Sequence, residues 1–166
     1  MPEQLYWLAE LDEQAQERLK ALYDRIREQG VAGRQTQGLY HLTLGSRGLE
    51  GEAEHARQME ALCGALRSFE LRISHVGLFG QTVLFLGPNP NEELLALHRT
   101  FFPESGRGDH EWSPHVTLLM DEAEAVWKAL PVVAEAFEPF CTRIEAVSLY
   151  AFYPQRFICR CVLEKG

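Results

Sequence analysis

Two short stretches of this chain share a pattern that restricts what it can become. Gly38-Leu39-Tyr40-His41-Leu42-Thr43-Leu44 and Ser113-Pro114-His115-Val116-Thr117-Leu118-Leu119 are apolar runs, each interrupted by a histidine and, two places on, a threonine. On a β-strand, residues i and i+2 point to one face, about 6.6 Å apart. His41 and Thr43 then share a face, with Tyr40, Leu42 and Leu44 opposite, and His115 and Thr117 repeat the arrangement. Each strand offers an imidazole and a hydroxyl on one side and anchors itself with aliphatics on the other. A third triplet, His98-Arg99-Thr100, lies in the helix-patterned run Asn91-Glu92-Glu93-Leu94-Leu95-Ala96-Leu97-His98. On a helix, i and i+2 do not face each other, so strand context sets this one aside.

The elements around the two strands come in a repeated order. Gln4 to Leu11 reads as a strand, and Asp12 caps a helix with Leu19, Leu22, Tyr23 and Ile26 at helical spacing, ended at Gly30. Val31 to Thr36 reads as a loop leading to the first histidine strand, Gly38 to Leu44. Gly45 to Gly48 reads as a turn, Glu52 to Arg67 as a helix, and Phe69 to Leu78 as a strand. Val83 to Leu86 is apolar on both faces, which predicts a central strand. Asn91 caps a helix over Glu92 to Phe102, and the polar loop Pro103 to Glu111 leads to the second histidine strand.

Asp121 and Glu124 form a capping-box-like start to a helix reaching Phe137, with Pro131 predicting a kink or break. Phe140 to Tyr150 reads as one long strand. Tyr153-Pro154-Gln155 turns into a last strand, Arg156 to Leu163. Strand, helix, histidine strand, helix, strand occurs twice. Phe69-Glu70 followed by Val76 to Phe79 is echoed by Phe137-Glu138 followed by Val147 to Tyr150. The expected fold is α+β: bilobal, duplicated β-α-β-α-β lobes with pseudo-twofold symmetry and mainly antiparallel sheets around a central cleft. The 166 residues suit a single domain, with approximate lobes 1–80 and 81–166 that exchange strands.

Composition narrows the partners. A net charge of −8 argues against gripping long nucleic acid through its backbone, which takes clustered Lys and Arg. A small phosphorylated ligand held by a few donors remains compatible. The four cysteines, Cys63, Cys141, Cys159 and Cys161, form no C-x-x-C and no metal-type cluster. They read as reduced buried thiols of a cytoplasmic protein, with Cys159 and Cys161 on one face of a strand. The acidic N-terminus excludes a conventional signal peptide, and no apolar run approaches the ~20 residues of a membrane span. His55 and His110 read as surface residues, and His75, alternating with Ile73, as part-buried. Trp7, Phe79, Phe85 and Trp127 read as core.

Two imidazoles across a cleft suit paired acid–base catalysis, since a histidine with an ordinary pKa near 6.5 takes either role at neutral pH. Threonine hydroxyls beside them can hold phosphate oxygens as charge develops there. Two histidines with poor zinc ligands beside them call for no metal, and no nucleophile-elbow pattern is present.

The motifs His41-Leu42-Thr43-Leu44 and Pro114-His115-Val116-Thr117-Leu118, with the duplicated order, resemble the 2H (two-histidine) phosphoesterase superfamily, above all its bacterial 2′-5′ RNA ligase-like and cyclic phosphodiesterase group. Val83 to Leu86 leading into Glu92 to His98 is also similar to that group. The resemblance covers essentially the whole chain. It implies a metal- and cofactor-independent phosphodiesterase that opens 2′,3′-cyclic phosphates of nucleotides or RNA ends, usually to 2′-phosphates. His41 and His115 are then the acid–base pair, and Thr43 and Thr117 the phosphate donors. Arg47, Tyr153 and Arg156 are candidates to reach the nucleotide. Gln81-Thr82 stands where some relatives carry a basic residue. With the acidic balance, this favours a small cyclic phosphate or RNA terminus over a long polynucleotide. The alternatives are a nucleotide-binding protein that uses the cleft without turnover, and a 2′-5′ RNA ligase. No membrane partner is expected, and the sequence leaves the oligomeric state open.

Overall fold

The computed structural model describes residues 2–33, 38–104 and 112–166. Among these residues, eight strands and four helices run in the order β1 (Gln4–Glu10), α1 (Glu13–Glu28), β2 (His41–Gly48), α2 (Glu52–Cys63), β3 (Phe69–Phe79), β4 (Val83–Pro88), α3 (Glu92–Phe101), β5 (Val116–Met120), α4 (Ala123–Ala136), β6 (Phe140–Ile144), β7 (Ala146–Phe152) and β8 (Arg156–Val162). Parts of the two expected loops, at residues 34–36 and 105–111, and with them His110, lie outside the described residues.

The strands form two four-stranded antiparallel sheets, ordered β2-β1-β7-β8 and β5-β4-β3-β6. Each histidine strand is thus the edge of its sheet, and β2 packs against β5. Equating β1 with β4, β2 with β5, and β7 with β3 relates one sheet to the other, which gives the bilobal, pseudo-twofold α+β fold. The echo of Val76 to Phe79 in Val147 to Tyr150 falls on the equivalent strands β3 and β7. The lobes are not sequential halves, because β7 and β8 return to the sheet of β1 and β2. Helices cross over as well: α2 and α3 back the first sheet, while α1 and α4 back the second.

Alternation along the strands explains which face each sheet buries. Leu5, Trp7 and Ala9 of β1, Leu42 and Leu44 of β2, and Val147, Leu149 and Ala151 of β7 are almost wholly buried under the helices. Gln4, Tyr6 and Glu10 point the other way and remain partly exposed. Local signals set the helix starts. Asp12 accepts from the Ala15 amide at 2.9 Å and Asn91 from the Leu94 amide at 2.9 Å, each satisfying an N–H that the first helical turn leaves without a partner.

Several expectations are corrected. Gly45 to Gly48 continues β2 instead of turning, because those residues pair with Gln4 to Trp7 of β1. Phe140 to Tyr150 is two strands in different sheets, divided at Glu145. α2 stops at Cys63 with Gly64 as its C-cap, four residues short of Arg67. α4 is one helix through Pro131, with Glu122 as its N-cap residue in extended backbone. Asp121 instead accepts from the Glu122 and Gly33 amides.

Cys63 and Cys161 form a disulfide across a Cα–Cα distance of 5.5 Å, not two free thiols. Packing of α2 on β8 brings together residues 98 apart in sequence, a pairing invisible to local pattern. Cys159 shares that face, its sulfur 3.9 Å from Met59. Trp127 is 51% exposed, because the inward stripe of α4 is Val126, Ala129 and Val133. His55 is half-buried, edge-on to Trp7 at 5.2 Å. Among the described residues no helix is long and apolar enough to cross a membrane.

Candidate active site

β2 carries His41 and Thr43, and β5 carries Thr117 with His115 in the residue just before its start. Opposite residues of a ladder share a face, so the pairs His41↔Glu10 and Thr43↔Leu8 put His41 and Thr43 on the helix-free face of the first sheet. Thr117 pairs with Phe85, which pairs in turn with Gly77; these lie on the helix-free face of the second sheet. In both sheets the ladder slips directly after the threonine. Leu8 pairs with Thr43 and Trp7 with Gly45, leaving Leu44 unmatched; Phe85 pairs with Thr117 and Leu84 with Leu119, leaving Leu118 unmatched. A β-bulge of this kind bends the strand and re-aims its side chains, and both leucines turn into the core.

The imidazoles are held alike. His41 Nδ1 lies 3.0 Å from the Leu39 carbonyl oxygen, and His115 Nδ1 lies 2.9 Å from that of Ser113. A carbonyl only accepts, so each Nδ1 carries hydrogen and donates. The proton that changes hands therefore sits on Nε2, which is a base when bare and an acid when protonated. His115 has aromatic walls: Phe79 meets it edge-on at 4.6 Å and Phe85 at 5.5 Å, while the two phenyl rings stack at 4.4 Å. Phe79, 37% exposed, is thus a wall of the site and not core. His75 also lies on this face and is exposed. The slip in the β3–β4 ladder at Ser74 separates it from buried Ile73.

Burial holds the His41 pKa below its ordinary 6.5; the bond to the Leu39 carbonyl opposes this, His115 adds to the lowering, and Glu10 opposes it. A charged His115 would repel a charged His41, which is why it adds to the lowering. Glu10 is itself bonded to Arg160 Nε at 2.6 Å, so its charge is partly answered before it reaches His41.

His98, set aside as helical, supports the site from behind. It is buried, and its Nδ1 donates to the carbonyl of the bulge residue Leu44 at 2.8 Å. Trp112 stacks flat on it, centroids 3.8 Å apart, and donates from Nε1 to the Thr43 carbonyl at 3.1 Å. Two rings thus bond successive carbonyls of β2 at the slip in its ladder. No local signal in the sequence marks either role. Burial, the largest cause, keeps the His98 pKa below its ordinary value, consistent with a neutral donor to a carbonyl.

The structure does not bring Arg47 and Arg156 to the histidines. Arg47 pairs with buried Leu5 on the helix-backed face, bonds the Phe101 carbonyl at 2.8 Å and Glu104 at 2.6 Å, and lies over the Phe102 ring. Arg156 sits at the far end of the first sheet, bidentate on Glu52 of α2 at 2.7 and 2.8 Å. Tyr153 is 64% exposed beside Phe152, at the same far end but joined to the open face. Among the described residues, no three His, Cys, Asp or Glu side chains gather as a metal site.

The family model for the 2′-5′ RNA ligase superfamily matches residues 39–154, a span that includes both histidine motifs. Among solved structures, E. coli LigT complexed with NADP+ is 25% identical over 98% of this chain and 99% of its own, with a TM-score of 0.67. The same protein complexed with 3′-AMP is 25% identical over 99% of each chain, with a TM-score of 0.67. TT0787 of Thermus thermophilus shares the fold at a TM-score of 0.71 and 18% identity, over 98% of this chain and 99% of its own. No curated protein sequence matches. With the family matched over well over half its length and the LigT fold over nearly all of it, the chain belongs to the 2′-5′ RNA ligase superfamily, among the 2H phosphoesterases.

Proposed function

We propose that the protein hydrolyses 2′,3′-cyclic phosphates of nucleotides or RNA ends to 2′-phosphates, with His41 and His115 as the acid–base pair. The observation that carries this reading is the shared restraint on the two rings: each Nδ1 donates to the carbonyl two residues before it, leaving each Nε2 for proton transfer. One Nε2 removes a proton from water as its oxygen bonds to phosphorus. The P–O3′ bond breaks, and the other Nε2 protonates the departing O3′, leaving a 2′-phosphate and a 3′-hydroxyl.

The lowered His41 pKa favours His41 as the base and leaves the acid's part to His115. Thr43 and Thr117 donate to the non-bridging phosphate oxygens. General acid and base groups contribute typically ~10²–10⁴-fold each. With a ribose 5′-hydroxyl in place of water as the attacking group, the same proton transfers and the same loss of O3′ would join RNA ends through a 2′-5′ linkage, as the family's name describes. That LigT forms complexes with NADP+ and 3′-AMP supports a nucleotide ligand for this chain.

The test is turnover of 2′,3′-cyclic nucleotides in the presence of chelator, with the phosphate position of the product read by ³¹P NMR. A 2′-phosphate formed by wild type and absent with His41→Ala and His115→Ala is expected. Turnover retained in both variants, or a 3′-phosphate product, would overturn the assignment.

A further inference from the structure

The open face that carries His41 continues into an aromatic tract. Along β1 the same-face residues are Gln4, Tyr6, Leu8 and Glu10, and Glu10 is opposite His41. Their partners on β7 include Tyr150 opposite Tyr6 and Phe152 opposite Gln4, and Phe157 of β8 lies opposite Tyr150. The rings form a continuous surface. Tyr6 meets Phe152 edge-on at 5.4 Å, Tyr150 stacks on Phe152 at 5.9 Å, Phe157 meets Tyr150 at 5.4 Å, and Tyr153 meets Phe152 at 5.4 Å. Phe157 is 56% and Tyr153 64% exposed. Among the described residues no helix covers this face; α2 and α3 lie on the other.

From the His41–Glu10 row to the Tyr6–Tyr150–Phe157 row is four residues, about 13 Å. A nucleic-acid strand advances ~3.4 Å per stacked nucleotide and about twice that when extended, so the tract lies roughly two to four nucleotides from the histidines. We propose that this tract stacks the bases of a single-stranded oligoribonucleotide whose terminal phosphate occupies the histidine site. The substrate is then an RNA end of several nucleotides and not a mononucleotide. This rests on the phosphodiesterase reading above.

The chemistry fits the charge. Stacking needs no basic groove and accepts any base, since every base has a π-face. A chain of net charge −8, whose Arg160 on this face is already engaged by Glu10, can hold RNA by bases where it cannot by backbone.

The experiment compares kcat/KM for a mononucleoside 2′,3′-cyclic phosphate with that for a trinucleotide ending in one, in wild type and Phe157→Leu. Leucine keeps apolar bulk at an exposed position and removes only the π-face. In wild type the trinucleotide is expected to be favoured by at least roughly fivefold per stacked base. That ratio should persist between about 50 and 500 mM salt, because it does not come from phosphate contacts, and should fall toward one in Phe157→Leu. Equal kcat/KM for the two substrates in wild type would overturn the inference and leave the phosphodiesterase reading standing. If wild type turns over neither, that reading fails. Equilibrium binding of the mono- and trinucleotide 2′-phosphates, read by tyrosine fluorescence, then decides the tract: tighter trinucleotide binding lost in Phe157→Leu upholds it, and equal binding overturns it.

Discussion

His41 and His115 have the same Nδ1 restraint but different neighbours, and the difference sets a measurable asymmetry. Desolvation is the main cause of the low His41 pKa, and Glu10 works against it. Glu10→Gln removes the opposing charge, so the His41 pKa should fall further and the acidic limb of kcat/KM should move to lower pH. NMR titration of the His41 ring in both proteins checks this; an upward shift would contradict the account. The same direction carries a stability consequence. A folded pKa below the unfolded value near 6.5 means that the unfolded chain binds more protons on the acid side. The contribution of neutral His41 is therefore present above about pH 6.5 and is lost as pH falls through that value toward the folded pKa. Both histidines and both threonines were legible as a pattern, because period-two alternation is local. What Nδ1 touches was not, and neither were the roles of His98 and Trp112, since their partners are backbone carbonyls distant in sequence.

At the level of elements, the slipped ladders matter as much as the motifs. Gly77 on β3 is one place where a side chain has no room. A Cβ there would run into the Phe85 ring, which lies against His115 and Phe79. Gly77→Ala should push Phe85 out of place, cost ~1–3 kcal/mol as overpacking does, and lower kcat without removing any ionisable group. Chemical denaturation beside steady-state kinetics checks both parts; unchanged kcat would mean that Phe85 does not seat His115. Strand and helix order could be read from hydrophobic period and caps, as Asp12 and Asn91 show. The continuation of β2 through Gly45 to Gly48 could not, because pairing with β1 overrides the turn preference of Gly-Ser-Arg-Gly. For the same reason Phe140 to Tyr150 read as one strand: only the change of partner at Glu145 divides it.

The whole molecule is two sheets that borrow helices and strands from each other's half of the chain, so the cleft is held by connections that cross it. The return of β7 and β8 to the first sheet also creates the α2–β8 contact and the Cys63–Cys161 bond. Closing a loop of this length constrains the unfolded chain, so reduction should cost ~2–4 kcal/mol. Denaturant midpoints with and without reductant, and for Cys63→Ala with Cys161→Ala, measure this; identical midpoints would contradict it. The duplicated order of elements foretold two related lobes, but which strands belong to which lobe depends on tertiary pairing alone.

The central claim is that the two histidines act as one acid–base unit, and the most direct measurement is the pH dependence of kcat/KM for a 2′,3′-cyclic phosphate in wild type, His41→Ala and His115→Ala. The account predicts a bell for wild type, with an acidic limb below pH 6.5 that is absent from the residual activity of His41→Ala, and a loss of most of kcat/KM in His115→Ala. A full bell surviving in both variants would contradict it.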